Sequence, residues 1–201
     1  IQKECDEIAN GIKNLWFVPS PFMNMCMAMP VIDGGKYNNF GIHGTGIASA
    51  SDSLSAIVKY IYREKTLTKE ELIKGVDENF ENNPTLLHML RYETPKVGQN
   101  DDFADNYLVF LLNAFSDALE GKINCRGGKY RAGTGSAMYY LWHANEIGAS
   151  PDGRRKGEPL GTNFSTSLFA KTGGPFSIVQ SLTKPDFSHA MNGGPVTLEF
   201  S

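Results

Sequence analysis

Gly148-Ala149-Ser150-Pro151-Asp152-Gly153-Arg154-Arg155 is the stretch that decides how this chain is read. Locally it is turn chemistry. Pro151 presets φ at about −65°, Asp152 can bond its own downstream backbone, and Gly153 supplies a positive φ. The turn follows an aromatic-rich run, Met138 to His143, and closes on a charged Arg pair. Alone it predicts a tight surface turn. Its weight comes from the segments around it.

Composition narrows the field first. The chain has 201 residues, enough for one domain with a substantial core. The formal net charge is −3 and no Lys/Arg run stands out, so a nucleic-acid partner is not expected. The longest apolar stretch, Tyr107 to Phe115, is interrupted by Asn113. It is far shorter than the roughly 20 residues a membrane helix needs, and no signal peptide opens the chain. Cys5, Cys26 and Cys125 form no CxxC pair, which supports neither a disulfide framework nor a zinc site. A reducing, cytoplasmic setting is the default. The chain opens on Ile1 inside a helical pattern, residues 1–8, and closes on a strand-like Val196–Phe200. Domains usually begin and end in exposed segments, so a piece of a longer protein is expected.

Three stretches follow: a helix-and-loop lead-in (1–36), a strand plus helices (37–121), and strands with Gly/Pro-rich loops (122–201). In the first, Met23, Met25, Met27 and Met29 alternate with period two, as in a buried strand or extended segment. Metal binding by these thioethers is the sharper reading, and core filling is the commoner one. Phe40 to Ala50 reads as a strand leading into a helix capped by Ser51 or Asp52, with Leu54, Ile57, Val58 and Ile61 as its apolar stripe. Thr68 and Glu71 form a capping box for a helix that buries Leu72, Ile73, Val76 and Phe80. A short helix starts at Pro84. Asp101 and Asp102 open the longest helix, whose stripe runs from Phe103 through Leu108 and Leu112 to Leu119. Gly127-Gly128-Lys129-Tyr130 echoes Gly34-Gly35-Lys36-Tyr37, and each leads to a Gly-Thr-Gly. Both echoes are expected to feed strands, either as a weak internal repeat or as convergent use of glycine. Further strands are predicted at Ser136–His143, Ser177–Leu182 and Val196–Phe200. The element order favours an α/β architecture.

Chemistry is thinly signalled. Gly41–Gly46 lacks the G-x-G-x-x-G spacing and carries no P-loop lysine. No nucleophile elbow is found. His43 stands among small residues at the end of a predicted strand, where it suits a pocket donor, acceptor or proton shuttle as well as a structural role. His88, His143 and His189 have no second ligand at metal spacing.

The blocks mean more together. Gly34-Gly35-Lys36-Tyr37-Asn38, Gly46-Ile47-Ala48, Ser51-Asp52-Ser53-Leu54-Ser55-Ala56-Ile57, Pro95-Lys96-Val97-Gly98-Gln99-Asn100-Asp101-Asp102, Gly127-Gly128-Lys129-Tyr130-Arg131, the opening turn and Gly157-Glu158-Pro159-Leu160 follow one another in order. This order and spacing resemble the glycyl radical enzymes, the pyruvate formate-lyase-like family, from about Pro21 to the C-terminus. The resemblance implies part of an α/β barrel, its second half-barrel with surrounding helices. It also implies radical cleavage of C–O, C–N or C–C bonds in a small polar substrate, as a dehydratase, a lyase or a formate acetyltransferase-like enzyme. In that family a glycyl radical passes to a cysteine, whose thiyl abstracts hydrogen from substrate.

Here the chain departs from the pattern. It has no Arg-Val-x-Gly motif, and none of its cysteines has the finger-loop context. The resemblance therefore implies no catalytic residue in this chain and no metal or directly bound cofactor. The radical glycine and the thiyl cysteine are expected elsewhere in the polypeptide. They would be served by a radical S-adenosylmethionine activating enzyme, in a homodimer, in anaerobic cytoplasm or a bacterial microcompartment. His43 is the first pocket candidate and Tyr140 the second, while Asp152 and Arg154 are expected to hold the turn. A non-catalytic scaffold or partner-binding domain derived from the family is the alternative. An unrelated α/β enzyme with a small polar ligand is a third reading.

Overall fold

Two short strands set the frame. The computed structural model describes Lys3 and residues 5–7, 21–26 and 36–198. After α1 (Pro21–Cys26), β1 (Phe40–His43) turns Phe40 and Ile42 toward the core and leaves Gly41 and His43 exposed, the period-two habit of a half-buried strand. β2 (Tyr130–Gly133) runs parallel to it, Phe40 opposite Tyr130 and His43 opposite Gly133. The two echoing segments thus feed neighbouring strands. Parallel pairing demands a long crossover. Here it carries α2 (Ile47–Ile57), α3 (Lys69–Asp77), α4 (Pro84–His88) and α5 (Asp102–Leu119). α2 and α4 run on into π-helical turns at Val58–Arg63 and Met89–Glu93. Beyond β2 come α6 (Tyr139–Glu146), α7 (Pro175–Leu182) and a 3₁₀ turn at Phe187–Ala190.

α5 is the central support. Asp101 caps it by accepting from the Phe103 amide at 2.8 Å, and Leu108 and Leu112 are fully buried. α2 packs on it through a small, polar face rather than through the predicted leucine and isoleucine stripe. Ala48, Ser51, Asp52 and Ser55 are buried, while Leu54, Ile57, Val58 and Ile61 are half-buried. The reason is where α2 begins. Gly46, at φ 77°, turns the chain directly out of β1, so the helix starts at Ile47. Ser51 and Asp52 then fall in its second turn and serve tertiary bonds, not a cap. The Thr68–Glu71 capping box forms as read: the Glu71 amide donates to Thr68 Oγ1 at 3.2 Å, and the Thr68 amide and hydroxyl donate to Glu71 Oε2 at 2.9 and 2.7 Å, which holds that carboxyl below its ordinary range. Leu72 and Phe80 are buried and Val76 is half-buried, but Ile73 faces solvent.

Three predicted strands are not strands. Ser136–His143 turns at Ala137 (φ 44°) and enters α6, where Tyr139 packs on Trp142 and His143 at the i+3 and i+4 spacing of a helix. Ser177–Leu182 lies inside α7, whose start is set by Pro175 at the first helical position after Gly174. Val196 to Leu198 is irregular and exposed, and 199–201 lie outside the described residues. The methionine alternation does not mark a strand where it is described, since Met23 and Met25 sit in α1. Met27 and Met29 lie outside the described residues. Of the predicted opening helix, Lys3 and residues 5–7 are helical.

The largest departure concerns the decisive turn, which is buried. Asp152 and Arg154 are each 1% exposed. The Gly153 amide donates to Ser150 O at 3.0 Å and the Ser150 amide to Arg154 O at 2.9 Å, closing the turn. Arg154 donates from Nε to Ser150 Oγ at 3.1 Å and from Nη1 to the carbonyls of Arg155 and Glu158 at 3.0 Å, while Nη2 donates to Gly148 O. Lys96, also 1% exposed, donates to Asp152 O at 2.9 Å and lies 4.0 Å from Asp52 Oδ2. Asp52 accepts from the Val97 amide at 2.8 Å and from Ser167 Oγ at 2.5 Å. Arg91 closes the outside by donating to Gly153 O at 2.7 Å and pairing with Glu158 at 2.5 Å. Four of the blocks recognised separately in the sequence, those holding Asp52, Lys96, the turn and Glu158, thus meet in one buried polar node. The expectation that Asp152 and Arg154 hold the turn fits this geometry.

Arg154→Ala strands three carbonyls and a hydroxyl in the interior and is expected to destabilise the protein by about 3 kcal/mol or more. Arg154→Lys rescues little, because an ammonium cannot reproduce the guanidinium fork. Chemical denaturation of both variants checks this. Burial pushes the Asp52 carboxyl up to about 7, with Lys96, Ser167 and Val97 pulling it back. The folded form therefore holds this proton more tightly than the unfolded chain, whose value is about 3.9. Its stabilisation is complete below about pH 4 and is lost as pH rises through 7. Asp52→Asn is expected to flatten the fall in Tm between about pH 4 and pH 7, and an unchanged slope in a pH series would contradict it.

Candidate functional site

The two parallel strands end on the same side, each in a Gly-Thr-Gly, and the carboxyl ends of parallel strands are where α/β sheets present ligand sites. The Gly44 amide extends the pairing by donating to Gly133 O at 2.8 Å. Beyond it lies an open cleft of about 760 Å³, with His43, Thr45, Gly135, Ser136, Tyr139 and Asn163 among its lining residues.

Each wall is positioned by bonds within the chain. Ser136 and Asn163 lock reciprocally. The Ser136 amide donates to Asn163 Oδ1 at 2.8 Å, and the Asn163 amide donates to Ser136 Oγ at 2.9 Å. Asn163 holds φ at 51°, a left-handed conformation that asparagine tolerates better than most residues. Tyr139 stacks on His143 at 5.8 Å between ring centroids, which presents a second imidazole to the cleft. His43 stands at the end of β1 with Nε2 2.9 Å from Asn192 Nδ2. Its ring fills the space that a side chain on Gly135 would take. A Cβ there would lie 2.8 Å from Cε1 and 2.9 Å from Nδ1.

Of the two residues singled out in the sequence, His43 lines this cleft. Tyr140 lies on α6 but not among the lining residues; it is half-buried, and its carbonyl accepts from the Leu160 amide at 3.4 Å. The helical course of α6 gives that wall to Tyr139 and His143 instead. Asn163 and Asn192 had no local signal, since each sits in a loop and meets its partner only through the fold. Besides His43, the Gly-Thr-Gly echo is the clue in the sequence to where the cleft forms.

Cys125 sits before β2, at the strand end opposite the cleft, and Cys5 is buried against Tyr130, whose hydroxyl donates to the Cys5 carbonyl at 3.0 Å. Neither reaches the cleft mouth. Among the described residues no three His, Cys, Asp or Glu side chains converge as a metal site, and no helix is long and apolar enough to cross a membrane.

Comparison with known proteins agrees with the family-level reading of the blocks. Residues 17–142 match the Pyruvate formate lyase-like family. Trans-4-hydroxy-L-proline dehydratase of Clostridioides difficile is 32% identical over 161 residues, covering 80% of this chain and 20% of that protein. (2S)-3-sulfopropanediol dehydratase of Klebsiella oxytoca is 30% identical over 204 residues, covering 96% of this chain and 25% of that protein. The B12-independent glycerol dehydratase of Clostridium butyricum, solved with glycerol bound, superposes with a TM-score of 0.81 at 30% identity, over 89% of this chain and 24% of that one. Isethionate sulfite-lyases are also among the relatives. The chain belongs to the glycyl radical enzyme family, and its two strands and packed helices are a part of that family's α/β barrel. It spans about a fifth to a quarter of the length of these relatives.

Gly135→Ala tests the slot that holds His43. Gly135 does not need a positive φ, so the backbone accepts alanine and the contact falls on a movable ring. The variant is expected to fold and to show the His43 imidazole swung out of its position in a crystal structure. An unmoved ring would rule the slot out.

Proposed function

We propose that this chain supplies one wall of the substrate cavity of a glycyl radical dehydratase acting on a small polar, hydroxylated substrate. The observation that carries the reading is His43 standing in the cleft at the carboxyl end of β1, among the hydroxyl and amide groups of Thr45, Ser136 and Asn163. Such groups bind and orient a substrate that carries hydroxyls. A hydroxyl leaves as water only if its oxygen collects a proton, and imidazole is the side chain best suited to give one near neutral pH.

When present, the radical supplies the homolytic abstraction of hydrogen from substrate. The groups in this chain would bind the substrate, orient it and move protons at the leaving oxygen. The radical glycine and the thiyl cysteine belong, on this reading, to other parts of the polypeptide, and a radical S-adenosylmethionine activating enzyme would act on them under anaerobic conditions. Cys125 at the wrong end of β2 supports that division. A homodimeric, full-length enzyme is part of the same proposal. Dehydratases among the relatives favour loss of water over the other eliminations.

In the full-length activated enzyme, His43→Ala is expected to lower turnover by about 10²–10⁴-fold, the usual range for losing a general acid or base. The yield of glycyl radical, read by electron paramagnetic resonance, should stay at the parent level. Parent-level turnover with a full radical yield would remove His43 from the site.

A further inference from the structure

We infer that Asn192 is a positioning residue for His43, orienting its imidazole and setting which nitrogen carries the proton. The inference deepens the cavity-wall reading and rests on it. Asn192 lies 149 residues from His43 in sequence and 2.9 Å from its Nε2 in space. This meeting is built by the backbone. The Asn192 amide donates to Ala132 O at 2.9 Å, and Gly193 O accepts from the Thr134 amide at 2.9 Å, so the segment is laced along β2 on both sides of Gly133. Gly193 holds φ at 96°, which lets the chain turn away immediately afterwards.

The sheet is also shaped to receive the Asn192 side chain. It lies where a side chain on Gly41 would be. A Cβ on Gly41 would sit 1.9 Å from Asn192 Nδ2 and 2.2 Å from Oδ1. A Cβ on Gly133 would sit 2.9 Å from Asn192 Cβ. Gly41 and Gly133 therefore open a slot for Asn192, and Gly135 opens a second one for the His43 ring. Two independent backbone vacancies hold one amide–imidazole contact, more construction than an incidental surface contact would need.

The chemistry of the pair follows from the amide. One end of an asparagine side chain accepts and the other donates. With Nδ2 toward the ring, Nε2 accepts and the proton of neutral imidazole sits on Nδ1, the nitrogen beside Gly135. With Oδ1 toward the ring, Nε2–H donates, which also suits an imidazolium. An amide can thus follow His43 through a protonation cycle without carrying charge itself. A carboxylate in its place would favour the imidazolium and raise the His43 pKa.

The test uses the full-length activated enzyme and a dehydration assay with the substrate that the parent turns over, across a pH series. Asn192→Ala is expected to lower kcat by about tenfold with little change in KM, the cost of one lost hydrogen bond to a working group. In a His43→Ala background the same change should cost nothing further. Asn192→Asp should move the pH limb assigned to His43 upward by about one unit or more. Gly41→Ala, which displaces the Asn192 side chain without altering its chemistry, should reproduce Asn192→Ala if that variant fails to fold. If Asn192→Ala costs the same with and without His43, or Asn192→Asp leaves the limb in place, the positioning role is overturned. If His43→Ala alone is fully active, the cavity-wall reading fails instead, and the two failures are told apart by which single variant is silent.

Discussion

The fold depends on removing several ionisable groups from water at one place. Lys96, Asp52, Asp152 and Arg154 are all within 1% of complete burial. Taking such groups out of solvent costs several kcal/mol each unless every proton and lone pair finds a partner. Here the partners come from far along the chain. Asp52 on α2 reaches Val97 and Ser167, Lys96 reaches the carbonyl of Asp152, and Arg91 reaches both Gly153 and Glu158. A misplacement of any one segment would leave a buried charge or carbonyl unmatched. The node thereby fixes the approach to α5, and α5 fixes the sheet. Gly153 has a matching role. Its φ of 88° and its closeness to Arg91, with a would-be Cβ 2.6 Å from Arg91 Cγ, leave no room for a side chain.

A second constraint, steric rather than electrostatic, shapes the site. The cleft face of the sheet is built from missing side chains. Gly41, Gly133 and Gly135 leave space for Asn192 and His43, and Gly128 lets the Asn38 carbonyl approach where a Cβ would lie at 2.0 Å. The glycine echo in the sequence therefore needs no ancestral repeat to explain it. Two adjacent parallel strands that must admit close neighbours call for glycine at their entries and exits.

These two constraints explain what could be read in advance. α5, the capping box at Thr68 and the strand–helix entry at β1 follow local rules, in which cap, period and glycine sit within a few residues of their effects. Four of the blocks behind the family-level reading, those with Asp52, Lys96, the turn and Glu158, meet in the buried node, whose partners leave them little freedom. α6 was misread because Tyr139, Tyr140, Trp142 and His143 satisfy an aromatic strand pattern as well as a helical one, and only Ala137 and the ring packing decide between them. Ser51 and Asp52 were misread as caps because their true partners, Ala104, Val97 and Ser167, are 45 to 115 residues away. Asn163 and Asn192 were invisible for the same reason.

On the proposed reading, the cleft needs further walls to complete its chemistry. Met138, Tyr139 and Trp142 are each more than half exposed beside it. Radical and proton-transfer steps need a site that keeps water from reactive intermediates, and a cleft open on this scale does not do so by itself. A parallel sheet is ordinarily covered on both faces and continued at its edges, whereas the described residues form two strands. In the relatives the matched segment is a fifth to a quarter of the chain. On the proposed reading, the segment's contribution is a preorganised wall: an imidazole in a glycine slot, a locked Ser136–Asn163 pair, and a buried node that keeps both in place while the rest of the barrel closes over them.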